Sequence, residues 1–552
     1  MLITERQIVG ELAGHSIYRV VSTKVYPFAR NSAYLTPAQA SDEDQYRALL
    51  DGFLQDATFY FSSTMDLTRN MQRQHPLPSP QSYRLDLKQA DAEFFWNRLH
   101  LLPFQEITKA HPDQDFSNFL VPVIYGYVKV VPVVINGVSL SYGLITRRGT
   151  SRVGTRYFSR GVDEKGHVSN YAETEQVVAS RKGDIASFSQ VRGSIPVFWA
   201  QVTNTKYTPK LVIADRPETS KAFRTHFERL SKQYGPVVAV NLVNTKGYEL
   251  PMAQKFAHLA SSMSELTYIH FDFHNECSKM RWHRIQLLID QMAPHLDAHM
   301  YYYSDPTKGD VTRQQGVIRT NCMDCLDRTN VVQSMVAKHI LTCQLKAMGV
   351  IPQEYSQDVF VEPFVSVFRE LWADNADAVS IAYSGTGALK TDFTRTGRRT
   401  TLGPIQDGKN SIVRYIKNNY LDGSRQDGID LFLGRFTPSP EQPSPFQDSL
   451  AMNIQIALGI FLAGLTLSIA YIIGLIPRTT THLSLIMGVG LILASFSILS
   501  GNRAELVARP CLVPYEYSLK QKTSIASELL EKPLSATMSM NETSSSSKPK
   551  DD

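Results

Sequence analysis

Arg319-Thr320-Asn321-Cys322-Met323-Asp324-Cys325-Leu326-Asp327-Arg328-Thr329-Asn330 stands near the middle of a 552-residue chain. A short apolar stretch, Gly316-Val317-Ile318, precedes it, and a helical pattern, Val331 to Met348, follows. That succession is the sequence form of a strand, a tight loop and a helix. Five residues between Cys322 and Arg328 let the loop curl until its backbone N–H groups point at one centre. The next helix aims its positive N-terminal end at the same point. A thiol held there is expected to ionise below its usual range. Arg328 can grip two phosphate oxygens with its planar fork, and Thr329 can hydrogen-bond the sulfur or assist the leaving step. The pattern suits covalent cysteinyl-phosphate chemistry on an α/β scaffold.

Two other uses of Cys322-x2-Cys325 fit the sequence less well. A tetrahedral zinc site needs two more Cys or His ligands, usually as a second close pair, but Cys277, Cys343 and Cys511 are isolated. A redox pair opens a helix in a thioredoxin-like unit, without the aspartates and the trailing Arg-Thr found here.

The twelve residues resemble the signature of the Sac-domain phosphoinositide phosphatases, and the likeness extends over roughly positions 1 to 436. It is carried by Phe59-Tyr60-Phe61-Ser62-Ser63-Thr64-Met65-Asp66-Leu67-Thr68 and Phe95-Trp96-Asn97-Arg98, then by Arg156-Tyr157-Phe158-Ser159-Arg160-Gly161-Val162-Asp163. Asn170, Glu173-Thr174-Glu175-Gln176, Arg192-Gly193-Ser194-Ile195-Pro196, Phe271-Asp272-Phe273-His274 and Gly385-Thr386-Gly387-Ala388-Leu389-Lys390 continue it. Asn418-Asn419-Tyr420-Leu421-Asp422-Gly423 and Gln426-Asp427 close it. The resemblance implies a β-rich Sac N-terminal subdomain over 1–113 and an α/β catalytic domain over 114–436, with the Cys-x5-Arg loop between strand and helix. It also implies several dozen residues, including sheet strands, ahead of the stretch with which this chain opens. A chain lacking them is expected to leave an open sheet edge.

Five cysteines, an odd count, fit a reducing compartment better than a disulfide framework, and residues 1–10 have no apolar core of signal-peptide type. The C-terminal part adds a membrane expectation. Between Asp448 and Arg478 lie 29 residues without formal charge, and 24 more follow before Arg503. Each run meets the ~20 residues that cross ~30 Å of hydrocarbon as helix. The expected plan is a proline-spaced linker over 437–451, transmembrane helices over 452–476 and 482–500 forming a hairpin, and a largely disordered cytosolic tail over 501–552. Basic residues flank both sides of the hairpin and one stands in its short loop, which places both flanks in the cytosol. The tail ends Lys548-Pro549-Lys550-Asp551-Asp552. That fits a Lys-x-Lys-x-x retrieval tail read by coat machinery, hence an endoplasmic reticulum protein cycling to the Golgi.

Two basic clusters, Arg147, Arg148, Arg152, Arg156 and Arg160, and Lys390 through Lys417, are either solvated faces or contacts to an anionic leaflet. The net charge of +5 is too small to favour a nucleic-acid partner.

The expected reaction starts with in-line attack of the Cys322 thiolate on phosphorus. The loop N–H groups and Arg328 hold the equatorial oxygens. Asp324 and Asp327 are the candidate acids, with a slight lead for Asp324, and water then hydrolyses the phosphocysteine. Met323, Cys325, Leu326, Asn330 and Lys390 are the candidate substrate contacts. No metal or other cofactor is required. Two acids in the loop are expected to disfavour headgroups with clustered phosphates. The resemblance points to phosphatidylinositol 4-phosphate first and the 3-phosphate second. The rivals are a catalytically idle, phosphoinositide-binding membrane tether and a protein tyrosine phosphatase.

Overall fold

A computed structural model of the chain describes residues 1–26, 33–75, 77, 86–111, 113–114, 116, 119–214, 216–278, 281–354, 362–439, 441–446, 452–473 and 481–513. One mixed sheet organises it. Strands Leu2–Leu12, His15–Lys24, Phe59–Phe61, Ile124–Ile135, Val138–Arg148, Ala172–Ser180 and Ile185–Arg192 run antiparallel in that spatial order. Beyond Ile185–Arg192 the sheet turns parallel through Val317–Asn321, Val237–Asn241 and Thr267–His270. β-Branched residues fill strands such as Val237–Asn241, buried throughout, whereas Leu2–Leu12 is largely exposed. Asn136-Gly137, both at positive φ (49° and 77°), makes the tight turn between two of the longest strands.

The parallel half is a three-layer sandwich. On one face Val191, Val237, Ala239 and Val317 meet Phe223, Phe227 and Phe256 of helices Thr219–Tyr234 and Leu250–Ser261. On the other, Val238, Val240 and Ile318 meet Leu288 and Met292 of helix Ile285–His299, together with Val332 and Val336 of helix Asp327–Ala347. Val317–Asn321 therefore ends deep in the sheet, between two parallel neighbours, and the loop after it lies in the crevice where open α/β sheets bind ligands.

The subdomain boundary expected at residue 113 follows the helix Arg98–Ala110. Strand Ile124–Ile135 beyond it hydrogen-bonds Phe59–Phe61 before it, so one sheet continues through both sides. Helix Pro37–Asp56 packs on helix Asp422–Phe432, where Phe53 and Phe432 join Phe59 and Trp96 in an aromatic cluster. Leu2–Leu12 stands at one end of the sheet and pairs with His15–Lys24 alone among the described residues.

At the other end, helices Met452–Ile472 and Thr481–Gly501 pack side by side. A Cβ placed on Gly464 would come within 2.7 Å of Gly488 O, so the two backbones cross at glycines. Small residues at the crossing are the lipid-phase solution to helix packing. Ile456, Leu462, Ile472, Ile486, Leu493 and Phe496 are exposed around the pair. Residues 474–480, which include the loop expected to connect them, lie outside the described residues. The expected free tail departs from the structure at its start, because residues up to Val513 return to the catalytic body. Ala508 N donates to Asn419 O (2.8 Å), and Cys511 N and Leu512 N donate to the Asp427 carboxylate (2.9 and 3.0 Å). Leu512 and Val507 are buried there. Lys548 and Lys550 fall outside the described residues.

Candidate active site

Cys322 is the first residue after strand Val317–Asn321, and helix Asp327–Ala347 begins five residues later. The helix starts four residues before the periodic pattern shows it. Asp327, Arg328, Thr329 and Asn330 form its first turn, although their polarity reads as loop. Cys325 turns the loop with a left-handed φ of 54°, a conformation that costs a non-glycine residue roughly 1 kcal/mol. Three contacts offset that strain. Cys325 N donates to Cys322 Sγ (3.1 Å), and the Cys325 thiol donates to Gly193 O (3.0 Å) and faces Cys322 O (3.3 Å). Thr329 Oγ1 stands 3.6 Å from Cys322 Sγ. Hydrogen bonding from Cys325, followed by the charge of Arg328 and the Thr329 hydroxyl, draws the buried Cys322 thiol below its usual range, and Cys325 moves the opposite way through burial.

The two loop aspartates differ sharply. Asp324 pairs with Arg156 Nη2 (2.8 Å) and Arg160 Nη1 (2.6 Å), while Asn170 Nδ2 donates to its backbone carbonyl (2.9 Å). Despite burial, the two guanidiniums hold its carboxyl far below the ordinary carboxylate range. Asp327 accepts from Leu389 N (2.9 Å), and burial pushes it up. The lead given to Asp324 as the acid therefore runs against its electrostatics: a carboxylate locked between two arginines parts with no proton near neutrality. The pairing also neutralises Asp324, one of the two acids expected to repel multiply phosphorylated headgroups.

Arg328 is engaged. Its Nη2 and Nη1 fork onto Glu249 Oε1 and Oε2 (2.6 and 2.8 Å), and Nη1 also donates to Leu242 O (3.1 Å). Glu249 ends the one-turn segment Gly247–Glu249 beyond the parallel strand Val237–Asn241, and it accepts from Asn244 N (2.7 Å). Sequence reasoning missed Glu249, which belongs to no quoted motif; only the adjacency of the two parallel strands brings it to the loop. Arg156 and Arg160, expected on a solvated face or against an anionic leaflet, instead pair with Asp324, and their spacing of four was the available signal.

The candidate substrate contacts divide. Met323 is buried among the residues around Val191 and Phe256, and Leu326 packs on Val379 and Tyr383. With the Cys325 thiol bonded to Gly193, these three side chains are committed to the interior, leaving backbone groups to face an anion. Asn330 is tied to Trp372 O (3.0 Å) and to Asn375 Nδ2 (3.0 Å). Lys390 is exposed and lines a cavity of about 370 Å³ with Asp327, Arg328, Asn330, Phe273 and Trp282. The first basic cluster is no surface patch. Arg147 is buried between Glu173 and Glu175 (both 2.8 Å), Arg148 is buried on Ala382 O and Gly154 O, and Arg156 and Arg160 belong to the loop.

A SacI homology domain matches residues 1–278 of the chain. The phosphatidylinositol-3-phosphatase SAC1 of Saccharomyces cerevisiae is 41% identical over 531 residues, 93% of this chain and 83% of that protein. Phosphatidylinositol-3-phosphatase SAC1-A of Danio rerio is 43% identical over 442 residues, 79% of this chain and 74% of its own length. Phosphoinositide phosphatase SAC8 of Arabidopsis thaliana is 33% identical over 514 residues, 93% and 86% of the two chains.

Proposed function

Within the Sac-domain phosphoinositide phosphatases, the family to which this chain belongs, we propose an enzyme anchored in a membrane by its C-terminal hairpin that hydrolyses phosphatidylinositol monophosphates. Phosphatidylinositol 4-phosphate is the chief substrate proposed, from the family likeness. The 3-phosphate is the second, supported by the names of the yeast and zebrafish relatives. The observation that carries the reading is a thiol with a lowered pKa at the end of a central parallel strand, facing Arg328, Thr329 and the N-terminus of a helix.

The Cys322 thiolate attacks phosphorus, and the bond from phosphorus to the inositol oxygen breaks. Asp327, whose carboxyl burial pushes above its usual range, gives its proton to the leaving alkoxide. Arg328 and the loop amides of Met323, Cys325 and Leu326 hold the three equatorial oxygens. For Arg328 this means exchanging part of its fork from Glu249 to phosphate, one anion for another. Water then attacks the phosphocysteine and returns its proton to Asp327, releasing inorganic phosphate and the thiolate. Asp324 keeps Arg156 and Arg160 at the loop, and Lys390 borders the headgroup space.

Both apolar helices are long enough to cross a bilayer, and large apolar side chains such as Leu462, Ile472, Leu493 and Phe496 are exposed on them. Together with the basic flanks, this supports a cytosolic catalytic body on a membrane of the endoplasmic reticulum and Golgi circuit. Retrieval coat machinery acting on Lys548 and Lys550 is the partner proposed for the tail.

Purified full-length chain assayed against a panel of inositides and a phosphotyrosine peptide tests the proposal. Release of phosphate from monophosphorylated inositides and none from the peptide is expected. Binding without turnover would identify an idle tether, and preference for the peptide would identify a tyrosine phosphatase.

A further inference from the structure

Helix Gly403–Tyr420 turns aliphatic side chains toward solvent. At 100° per residue, Ile405, Ile412 and Ile416 fall within about 40° of one another, and they are 70%, 65% and 47% exposed. Leu402 and Tyr420 extend the stripe at its two ends. The opposite face is fixed to the catalytic body by polar bonds. Arg414 donates to Thr386 Oγ1 (2.9 Å) and Ser380 Oγ (3.1 Å), and Asn418 Nδ2 donates to Ser384 O (2.8 Å). This is the inverse of an ordinary surface helix, which buries its apolar stripe.

The charges around the stripe are one-sided. Lys409 lies within it, and Lys390 and Arg398 are exposed on the segment before the helix. The acids of that region, Asp392 and Asp407, are both paired to Arg399. An apolar stripe rimmed by cations that have no acid partner among the described residues has the composition of an interfacial helix on an anionic leaflet.

Chain connectivity brings the bilayer to this helix. The second apolar helix ends at Gly501, and Ala508, seven residues later, donates to Asn419 O at the last turn of Gly403–Tyr420. Seven residues span at most ~25 Å. The attachment is closely made: a Cβ on Gly423 would come within 2.5 Å of the Arg509 backbone.

We propose that the exposed face of helix Gly403–Tyr420 seats in the anionic headgroup layer of the membrane that holds the hairpin. Seated there, it sets the cavity beside Asp327, Arg328 and Lys390 at the height of a lipid headgroup. The proposal rests on the hairpin reading above, and it assigns the catalytic body a fixed orientation rather than a loose tether. Ile405, Ile412 and Ile416 enter the interface, Lys409 and Arg398 meet lipid phosphates, and Tyr420 sits at headgroup level.

Full-length chain reconstituted into vesicles containing an anionic lipid tests this. The additional indole emission introduced by Ile412→Trp, read as the difference from the parent chain, is expected to be quenched by lipids brominated near the headgroup end of their acyl chains. Replacing Ile405, Ile412 and Ile416 together with serine is expected to lower turnover of vesicle-borne substrate about ten-fold. Turnover of a water-soluble short-chain phosphoinositide should stay unchanged, since none of the three lines the catalytic loop. Unquenched emission with undiminished vesicle turnover would overturn the proposal. Emission that follows protein density, with cross-linked dimers, would also overturn it by assigning the stripe to a second copy. Resistance of the chain to alkaline extraction, read in the same vesicles, separates failure of the hairpin from failure of this contact.

Discussion

The Cys322 pKa is lowered because Cys325 donates to its sulfur and Arg328 and Thr329 face it. A serine hydroxyl in that field stays un-ionised, so Cys322→Ser is expected to lose turnover by roughly 10⁴-fold or more while folding and inserting normally. Cys325→Ser retains the backbone N–H that meets Cys322 and should be far milder, as steady-state kinetics of the two variants will tell. The pH profile of kcat/KM separates the aspartates. Since the Cys322 pKa is lowered, activity is present above it and is lost as pH falls through it. Since the Asp327 pKa is raised, its acid form persists further upward, and activity is lost as pH rises through it. Asp327→Asn is expected to abolish that basic limb and to cost roughly 10²-fold in rate. Asp324→Asn should keep both limbs and raise KM, because Arg156 and Arg160 lose their anchor. A basic limb that vanished in Asp324→Asn instead would reverse the assignment.

Strand Val317–Asn321 and helix Asp327–Ala347 show what the sequence made legible and what it hid. The Cys-x5-Arg spacing located loop, nucleophile and arginine, because a turn between two periodic segments is a local property. Glu249, 79 positions before Arg328, was invisible, since it meets the loop only through the parallel pairing of Val237–Asn241 with Val317–Asn321. Arg147 misled for a related reason: five arginines without an acid among them read as surface, whereas the neutralising Glu173 and Glu175 stand on the next strand. Removing one partner of a buried ion cluster strands the others, so Arg147→Met is expected to destabilise the chain by about 3–5 kcal/mol. Thermal unfolding of the detergent-solubilised protein should show a midpoint several degrees lower, and an unchanged midpoint would mean the cluster contributes little.

For the whole molecule, two tethers join the catalytic body to the apolar helices. Fifteen residues lie between Phe436 and Met452, which lets the two stand at most ~55 Å apart when fully extended. The return from Gly501 to the docked Ala508 is less than half as long. Hydrolysis is therefore expected in cis, on lipid of the membrane that holds the hairpin, and equal rates on substrate in separate vesicles would refute that geometry. Tags at Met1 and Asp552 should both be open to protease from the cytosolic side. Lys548→Ala with Lys550→Ala should shift the chain outward along the secretory pathway, as imaging of tagged protein will show. The most direct measurement starts from full-length chain reconstituted with phosphatidylinositol 4-phosphate, acid-quenched during turnover, and digested for mass analysis of the Cys322 peptide. One phosphoryl group on Cys322, absent in Cys322→Ser, is the predicted result. Undiminished phosphate release with Cys322 never phosphorylated would contradict the covalent mechanism.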